Sequence, residues 1–263
     1  MTVTSGDNPW IGSRFGAVDR PRTRVICLPQ SGAGPAAFTA WRPHLPPGVE
    51  IATVTLPGRG PRTAEPLPPD PATVTRRLLD GLRPELDVPY VLFGHSLGAL
   101  LAHAVTALAA REGVPAPAAL VVSGSRAPHT PPGASVAAYD DRGLADWLTG
   151  IGGLPPELLR HGAYAAYVFR TVRADLALAE RIVTAGPVRV GCPLHVFGGV
   201  DDTLAPPALI EGWRACAAGE HTTTLLPGGH GFPQSEPAAT VAALTGVLPV
   251  PVPVHPPQEG PSR

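Results

Sequence analysis

The run Gly94-His95-Ser96-Leu97-Gly98 follows the apolar stretch Val91-Leu92-Phe93 and opens an Ala/Leu-rich segment. A G-x-S-x-G between a strand and a helix sets the serine on a sharp turn with its hydroxyl exposed as a nucleophile. The residues two before and two after must be small, or the turn closes into side chains. A serine hydroxyl is a poor nucleophile near neutral pH and needs a base, which a third group must orient. In this arrangement the acid follows the serine and the histidine comes last. His230, in Gly228-Gly229-His230-Gly231, stands after the last apolar stretch and suits the base, and Gly198-Gly199-Val200-Asp201-Asp202 ends the stretch before it. Together these residues could carry acyl transfer through a covalent acyl-enzyme.

Two adjacent acids compete for the orienting role. Asp202 heads Asp202-Thr203-Leu204-Ala205-Pro206, similar to the D-x-x-x-P turn of such hydrolases, and is favoured over Asp201. A developing oxyanion needs two backbone N–H groups. One is expected from Leu97, the residue after the nucleophile, and one from Ser31 in the turn Pro29-Gln30-Ser31-Gly32 after the first strand.

Other chemistry-bearing residues read more plainly. His95 is expected to support the turn and point away from the site. His103 reads as packed or surface, His195 lies within a strand, and His221 and His255 fall in loop or tail. His129 follows a strand end, but its neighbours offer no orienting acid. Gly32-x-Gly34-x-x-Ala37 matches a dinucleotide fingerprint on paper. The next strand, however, ends in Thr55-Leu56-Pro57 with no acid for a ribose, and Pro35 hinders close pyrophosphate approach.

These residues need a frame to hold them. Short apolar runs at 24–28, 51–56, 91–93, 120–122, 194–197 and 222–226 read as strands, and 71–86 and 99–112 have helical character, the latter ending at Gly113. Such alternation predicts an α/β fold with a mainly parallel sheet covered by helices on both faces. Between 131 and 186 the alternation stops, leaving helical pieces at 140–148 and 163–182. An all-helical insertion there fits a lid over a site at the strand ends. The expected organisation is one α/β domain over 1–248 and a Pro-rich, disordered tail over 249–263. No internal repeat is visible.

Composition narrows the chemistry. All 20 basic residues are Arg, which removes a Walker lysine, a Schiff-base lysine and a Ser–Lys dyad. A net charge of −1 gives no electrostatic reason to expect nucleic acid or an anionic membrane. No apolar run approaches the roughly 18 residues of a membrane span, and the N-terminus lacks the apolar region of a secretion signal. The three cysteines, Cys27, Cys192 and Cys216, have no CxxC spacing, which argues against a disulfide framework or a zinc knuckle. A cytoplasmic monomer is the expectation.

The chain resembles the type II thioesterases, free-standing editing enzymes of polyketide and nonribosomal peptide synthesis with the α/β-hydrolase fold. The resemblance runs from about Trp10 to Phe232, through Val25-Ile-Cys-Leu-Pro29, Leu56-Pro-Gly-Arg-Gly60, Gly94–Gly98 and Ser123-Gly-Ser-Arg-Ala-Pro-His129. It continues through Leu148-Thr-Gly-Ile-Gly-Gly-Leu-Pro-Pro156, Arg173-Ala-Asp-Leu-Ala-Leu178, Gly198–Asp202 and Gly228–His230. Leu56–Gly60 and Arg173–Leu178 are far more selective for the family than the serine turn. Departures occur at Gln30 and Ser31, at Leu97 where Met is frequent, at Gly231, and at Arg181-Ile-Val-Thr-Ala185 where a Tyr-rich stretch is usual.

The resemblance implies hydrolysis of acyl thioesters carried on the phosphopantetheine arm of acyl or peptidyl carrier proteins. Ser96 would be nucleophile, His230 base and Asp202 orienting acid, with no metal or bound cofactor. Arg59, Arg62 and Arg126 could meet an acidic carrier surface, unless they are ordinary solvated arginines. The competing readings are a carboxylesterase or lactonase on free esters, a product-releasing thioesterase, and a silent hydrolase fold used for binding. A chain start at Met1 speaks against the product-releasing form.

Overall fold

Alternate residues along the central strands enter two different cores, so helices must cover the sheet on both sides. The computed structural model describes residues 8–16, 21–133, 135–136, 138–151, 157 and 162–249. In β2 (Thr23–Leu28), Val25 and Cys27 face one core and Ile26 and Leu28 the other. The same division holds in β4 (Tyr90–His95), with Val91 and Phe93 opposite Leu92, and in β5 (Ala119–Ser123), with Val121 opposite Leu120 and Val122. Helices α1 (Pro71–Leu82) and α2 (Leu97–Arg111) cover the first face with Leu78, Leu82, Leu101 and Val105. Trp41, Phe232 and α5 (Pro237–Thr245) cover the second.

The sheet has seven strands in the order β1-β3-β2-β4-β5-β6-β7, completed by β1 (Ile11–Gly16), β3 (Val49–Val54), β6 (Leu194–Gly199) and β7 (His221–Leu226). All neighbours run parallel except β1, which pairs antiparallel with β3. The strand order reverses between β2 and β4, and open α/β sheets bind ligands outside the carboxyl ends at such a switch point. The loop after β2 and the serine turn after β4 flank that point.

Strand β1 has no counterpart among the expected elements. Its sequence Ile-Gly-Ser-Arg-Phe-Gly buries only Ile11 and Phe15, and its register slips between Ile11 and Ser13, so the period-2 signal is broken. Helix α1 ends at Leu82 rather than 86, and Arg83–Glu85 continues as a 3-10 turn because Pro84 cannot donate into the helical ladder. Asp70 starts that helix by accepting the Thr73 N–H at 2.8 Å.

In the region expected to be helical, α3 (Asp141–Gly150) and α4 (Gly162–Arg181) form, and no strand occurs among its described residues. The two helices share a small core of their own, Leu144, Leu148, Ala165, Val168, Phe169 and Val172, separate from the cores beside the sheet. Residues 152–156 of the resemblance and all but the first residue of the Pro-rich tail lie outside the described residues. Among the described residues no helix is long and apolar enough to cross a membrane. All three cysteines are free and buried.

Candidate active site

Ser96 sits where β4 turns into α2, with φ 56° and ψ −118°, and is the one non-glycine among the described residues with positive φ. Such backbone costs about 1–3 kcal/mol and persists only where its surroundings enforce it. The enforcement is visible. A Cβ at Gly98 would lie 1.9 Å from the Leu28 carbonyl oxygen, and one at Gly94 would lie 2.2 Å from that of Gly98. Helix α2 thus rests directly on the end of β2, and the Ser96 N–H is held by the Ser123 carbonyl at 2.8 Å. Helix α2 begins at Leu97, two residues before the expected start, because the turn opens straight into it.

The Ser96 hydroxyl meets His230 across the sheet end. Oγ lies 3.1 Å from His230 Nε2, and His230 Nδ1 lies 2.9 Å from Asp202 Oδ2. Of the two adjacent acids, Asp202 therefore faces the histidine. Its other oxygen, Oδ1, accepts the N–H groups of Leu204 and Ala205, each at 2.9 Å. Asp201 is exposed and lends its backbone N–H to the Gly228 carbonyl at 3.1 Å. Burial pushes the Asp202 carboxyl up, but the hydrogen bond and charge of His230 and the two N–H donors outweigh it and leave its pKa below the usual value.

Leu97 opens α2, so its N–H is among the four that no intrahelical carbonyl can take. In the turn after β2, the Gly32 N–H is held by Asp175 Oδ2 at 2.7 Å and the Ala33 N–H by the Gln30 carbonyl at 3.1 Å. Ser31 directly precedes these two committed donors. A serine hydroxyl facing a half-buried histidine backed by a buried carboxylate, with backbone N–H groups at hand, can deliver an oxygen nucleophile to a carbonyl carbon. No cluster of three His, Cys, Asp or Glu able to hold a metal ion occurs among the described residues.

A family model described as the thioesterase domain matches residues 23–245. The chain belongs to the thioesterase family. The thioesterase PikA5 of Streptomyces venezuelae is 30% identical over 232 residues, 88% of this chain and 81% of its own length. Among solved structures, RedJ, a thioesterase of the prodiginine pathway of Streptomyces coelicolor, is 32% identical with TM-score 0.81, over 89% of this chain and 95% of its own. BorB, a type II thioesterase from the borrelidin biosynthetic cluster, is 26% identical with TM-score 0.82, over 94% of this chain and all of its own (100%). The expected type II thioesterase character and α/β-hydrolase fold are both borne out.

Against this thioesterase fold, three sequence expectations need correction. Arg59 is 2% exposed and does not meet solvent. Its two terminal nitrogens clasp Asp175, Nη1 to Oδ2 at 2.7 Å and Nη2 to Oδ1 at 2.6 Å. Arg62 is also buried; its guanidinium lies 3.9 Å over the Trp10 ring and donates to the Thr55 carbonyl at 3.0 Å and to Glu65 at 2.6 Å. Arg126 reaches the Ala179 and Ile182 carbonyls at the end of α4, at 2.9 and 3.2 Å, together with Thr130 O at 2.8 Å. Arg59 and Arg62 are buried and Arg126 is half-buried against backbone carbonyls, so the three do not form a free basic patch. The signal that could have separated them was the motif context: Arg59 and Asp175 stand in the two most family-selective segments.

His95 does not point away altogether. It is fully buried, its Nδ1 lies 3.0 Å from Ser123 Oγ, and its ring centroid lies 5.0 Å from that of His230. It thus backs the histidine of the site as well as the serine turn. His103 is packed against Trp213 and donates Nε2–H to the Val188 carbonyl at 2.8 Å, while His195 pairs with Thr222 Oγ1 at 2.7 Å. His129 Nδ1 lies 3.7 Å from Cys216 Sγ. His255 lies outside the described residues.

Burial, with the neighbouring His230 charge second, brings the His95 pKa down to about 3. The unfolded chain protonates this residue below about 6.5 and the fold does not, so stability falls as pH drops through that window, by about 1.4 kcal/mol per unit. Asp202 acts in the same direction at lower pH, since its contribution is lost as pH falls through its depressed folded value. Urea unfolding at pH 7 and pH 5 checks the first effect: His95→Gln is expected to show a shallower loss between the two than the wild type.

Proposed function

We propose that the chain hydrolyses acyl thioesters carried on the phosphopantetheine arm of carrier proteins, clearing stalled or aberrant acyl groups from a polyketide or nonribosomal peptide synthase. The observation that carries this reading is the continuous line Ser96 Oγ, His230, Asp202 at the sheet's switch point, in a chain of the thioesterase family. RedJ, of the prodiginine biosynthetic pathway, and BorB, a type II thioesterase of the borrelidin biosynthetic cluster, support the pathway class.

Ser96 Oγ attacks the thioester carbonyl while His230 Nε2 takes its proton. Asp202 holds the Nδ1–H tautomer and stabilises the imidazolium that forms. The N–H groups of Leu97 and Ser31 receive the oxyanion. The tetrahedral intermediate collapses, the C–S bond breaks, and His230 returns the proton to the departing pantetheine sulfur. Water then attacks the acyl-Ser96 ester with His230 as base, releasing the free acid and restoring the hydroxyl. Every proton moves between Ser96, the departing sulfur, water and His230, so the cycle calls on no metal and no bound cofactor. Helices α3 and α4 form the acyl chamber and part of the carrier dock. Arg59 and Arg62 are buried and Arg126 spends both terminal nitrogens on backbone carbonyls, so none of the three is assigned to that dock.

The test compares kcat/KM for an acyl-pantetheine thioester with that for the matched oxygen ester. The thioester is expected to be the better substrate, and Ser96→Ala is expected to lower kcat by about 10⁴–10⁶. A clear ester preference would assign the site to an esterase instead.

A further inference from the structure

The helical insertion and the loop after β2 meet at one buried carboxylate. Asp175, on α4, is fully buried, and its Oδ2 accepts both the Gly32 N–H and Arg59 Nη1, each at 2.7 Å. Arg59 Nη1 also reaches the Ala33 carbonyl at 3.2 Å, and Nη2 completes the pair with Oδ1 at 2.6 Å. The ion pair therefore grips adjacent residues of one turn, the carboxylate taking the N–H of Gly32 and the guanidinium the C=O of Ala33. Apolar contact closes the remaining side. Gly32 has φ +77°, and a Cβ there would lie 2.4 Å from Val172 Cγ2 on α4.

This grip bears on the oxyanion. The turn hangs from β2 next to Gly98, where the serine helix touches the Leu28 carbonyl. A shift of Gly32 and Ala33 moves Ser31 relative to the Leu97 N–H on α2. Helix α4 is also anchored a second time, where Arg126 holds the Ala179 and Ile182 carbonyls. A carboxylate and guanidinium buried together are costly to desolvate and are often no more stabilising than an apolar pair of the same size. A pair held at that cost against the loop beside the nucleophile has a placement role that packing alone does not explain.

We propose that Arg59 and Asp175 are positioning residues for transition-state stabilisation: anchored on α4, they fix the direction of the Ser31 N–H, so that docking of the helical insertion and formation of the oxyanion site are one event. This rests on the reading of Ser96 as nucleophile and of Ser31 and Leu97 as donors. It also makes α4 a fixed wall of the site and leaves any lid movement to the rest of the insertion.

The experiment uses the full chain with Arg59→Met/Asp175→Leu, which removes both charges at once, and separately Asp175→Asn, which keeps one acceptor. Two probes are measured: an acyl-pantetheine thioester, and the matching trifluoromethyl ketone, whose adduct with the serine places an oxyanion in the site. Both variants are expected to unfold cooperatively and to keep a KM near the wild type. Their kcat is expected to fall by about 10–100-fold, with ketone affinity weakened by a similar factor. A folded double variant with wild-type kcat and wild-type ketone affinity overturns the proposal. If that variant does not fold, the same result in Asp175→Asn overturns it. The ketone reads the grip without any turnover, so a wild type that binds it but leaves thioesters intact overturns the proposed activity and not the positioning role.

Discussion

Asp202→Asn is expected to lower kcat by about four orders of magnitude, while Asp201→Asn leaves it near the wild-type value. The difference follows from the hydrogen bonds on the two oxygens of Asp202. Oδ1 accepts the N–H groups of Leu204 and Ala205, so an asparagine must keep its carbonyl there. Its NH₂ then faces His230 Nδ1, where Oδ2 stands in the native chain at 2.9 Å. A donor at that place forces the imidazole to carry its proton on Nε2, facing Ser96, and a protonated Nε2 cannot accept the serine proton. Asp201 is exposed and touches the site only through its backbone. Steady-state kinetics on the two single variants separates them, and equal losses would return the choice between the acids to open.

The largest stability effect is expected at Arg59. Arg59→Ala leaves the Asp175 carboxylate fully buried with its charge uncompensated, and breaking a buried pair from one side costs about 3–5 kcal/mol. Removing both partners with apolar residues of similar size returns most of that loss, because no lone charge stays behind. Urea unfolding of Arg59→Ala beside the double variant measures both quantities. If the single variant were as stable as the double, the pair would be far better solvated than its 2% and 0% side-chain exposure implies. The rate effect argued above is independent of this one, since a variant can regain stability without regaining the aim of the Ser31 N–H.

The central strands were legible because each carries apolar residues on both faces and meets glycine or proline at its end. The serine turn was legible because Gly94 and Gly98 are required by contacts that leave no room for a Cβ. His230 and Asp202 were accessible through their order after the serine and the turn that Asp202 heads. Strand β1 was not, since an edge strand with two buried residues and a bulge has no periodic signal. The arginines were misread for a different reason. Charge in a sequence is presumed to face water, and only a partner 116 residues away, Asp175, brings Arg59 inside. His95 shows the same limit, because its distance from His230 depends on how β4 and the loop after β7 come together, and no spacing along the chain encodes that.

Acylation of Ser96 by a thioester is the step on which the whole cycle depends. Rapid mixing of the full chain with an acyl-pantetheine thioester, acid quenching, and intact-mass and peptide mass spectrometry reads this directly. An early adduct of the acyl mass is expected on the peptide containing Ser96, decaying as free acid appears, and absent in Ser96→Ala. Turnover of the thioester by Ser96→Ala at the wild-type rate, or an acyl group carried on any other residue, would contradict it.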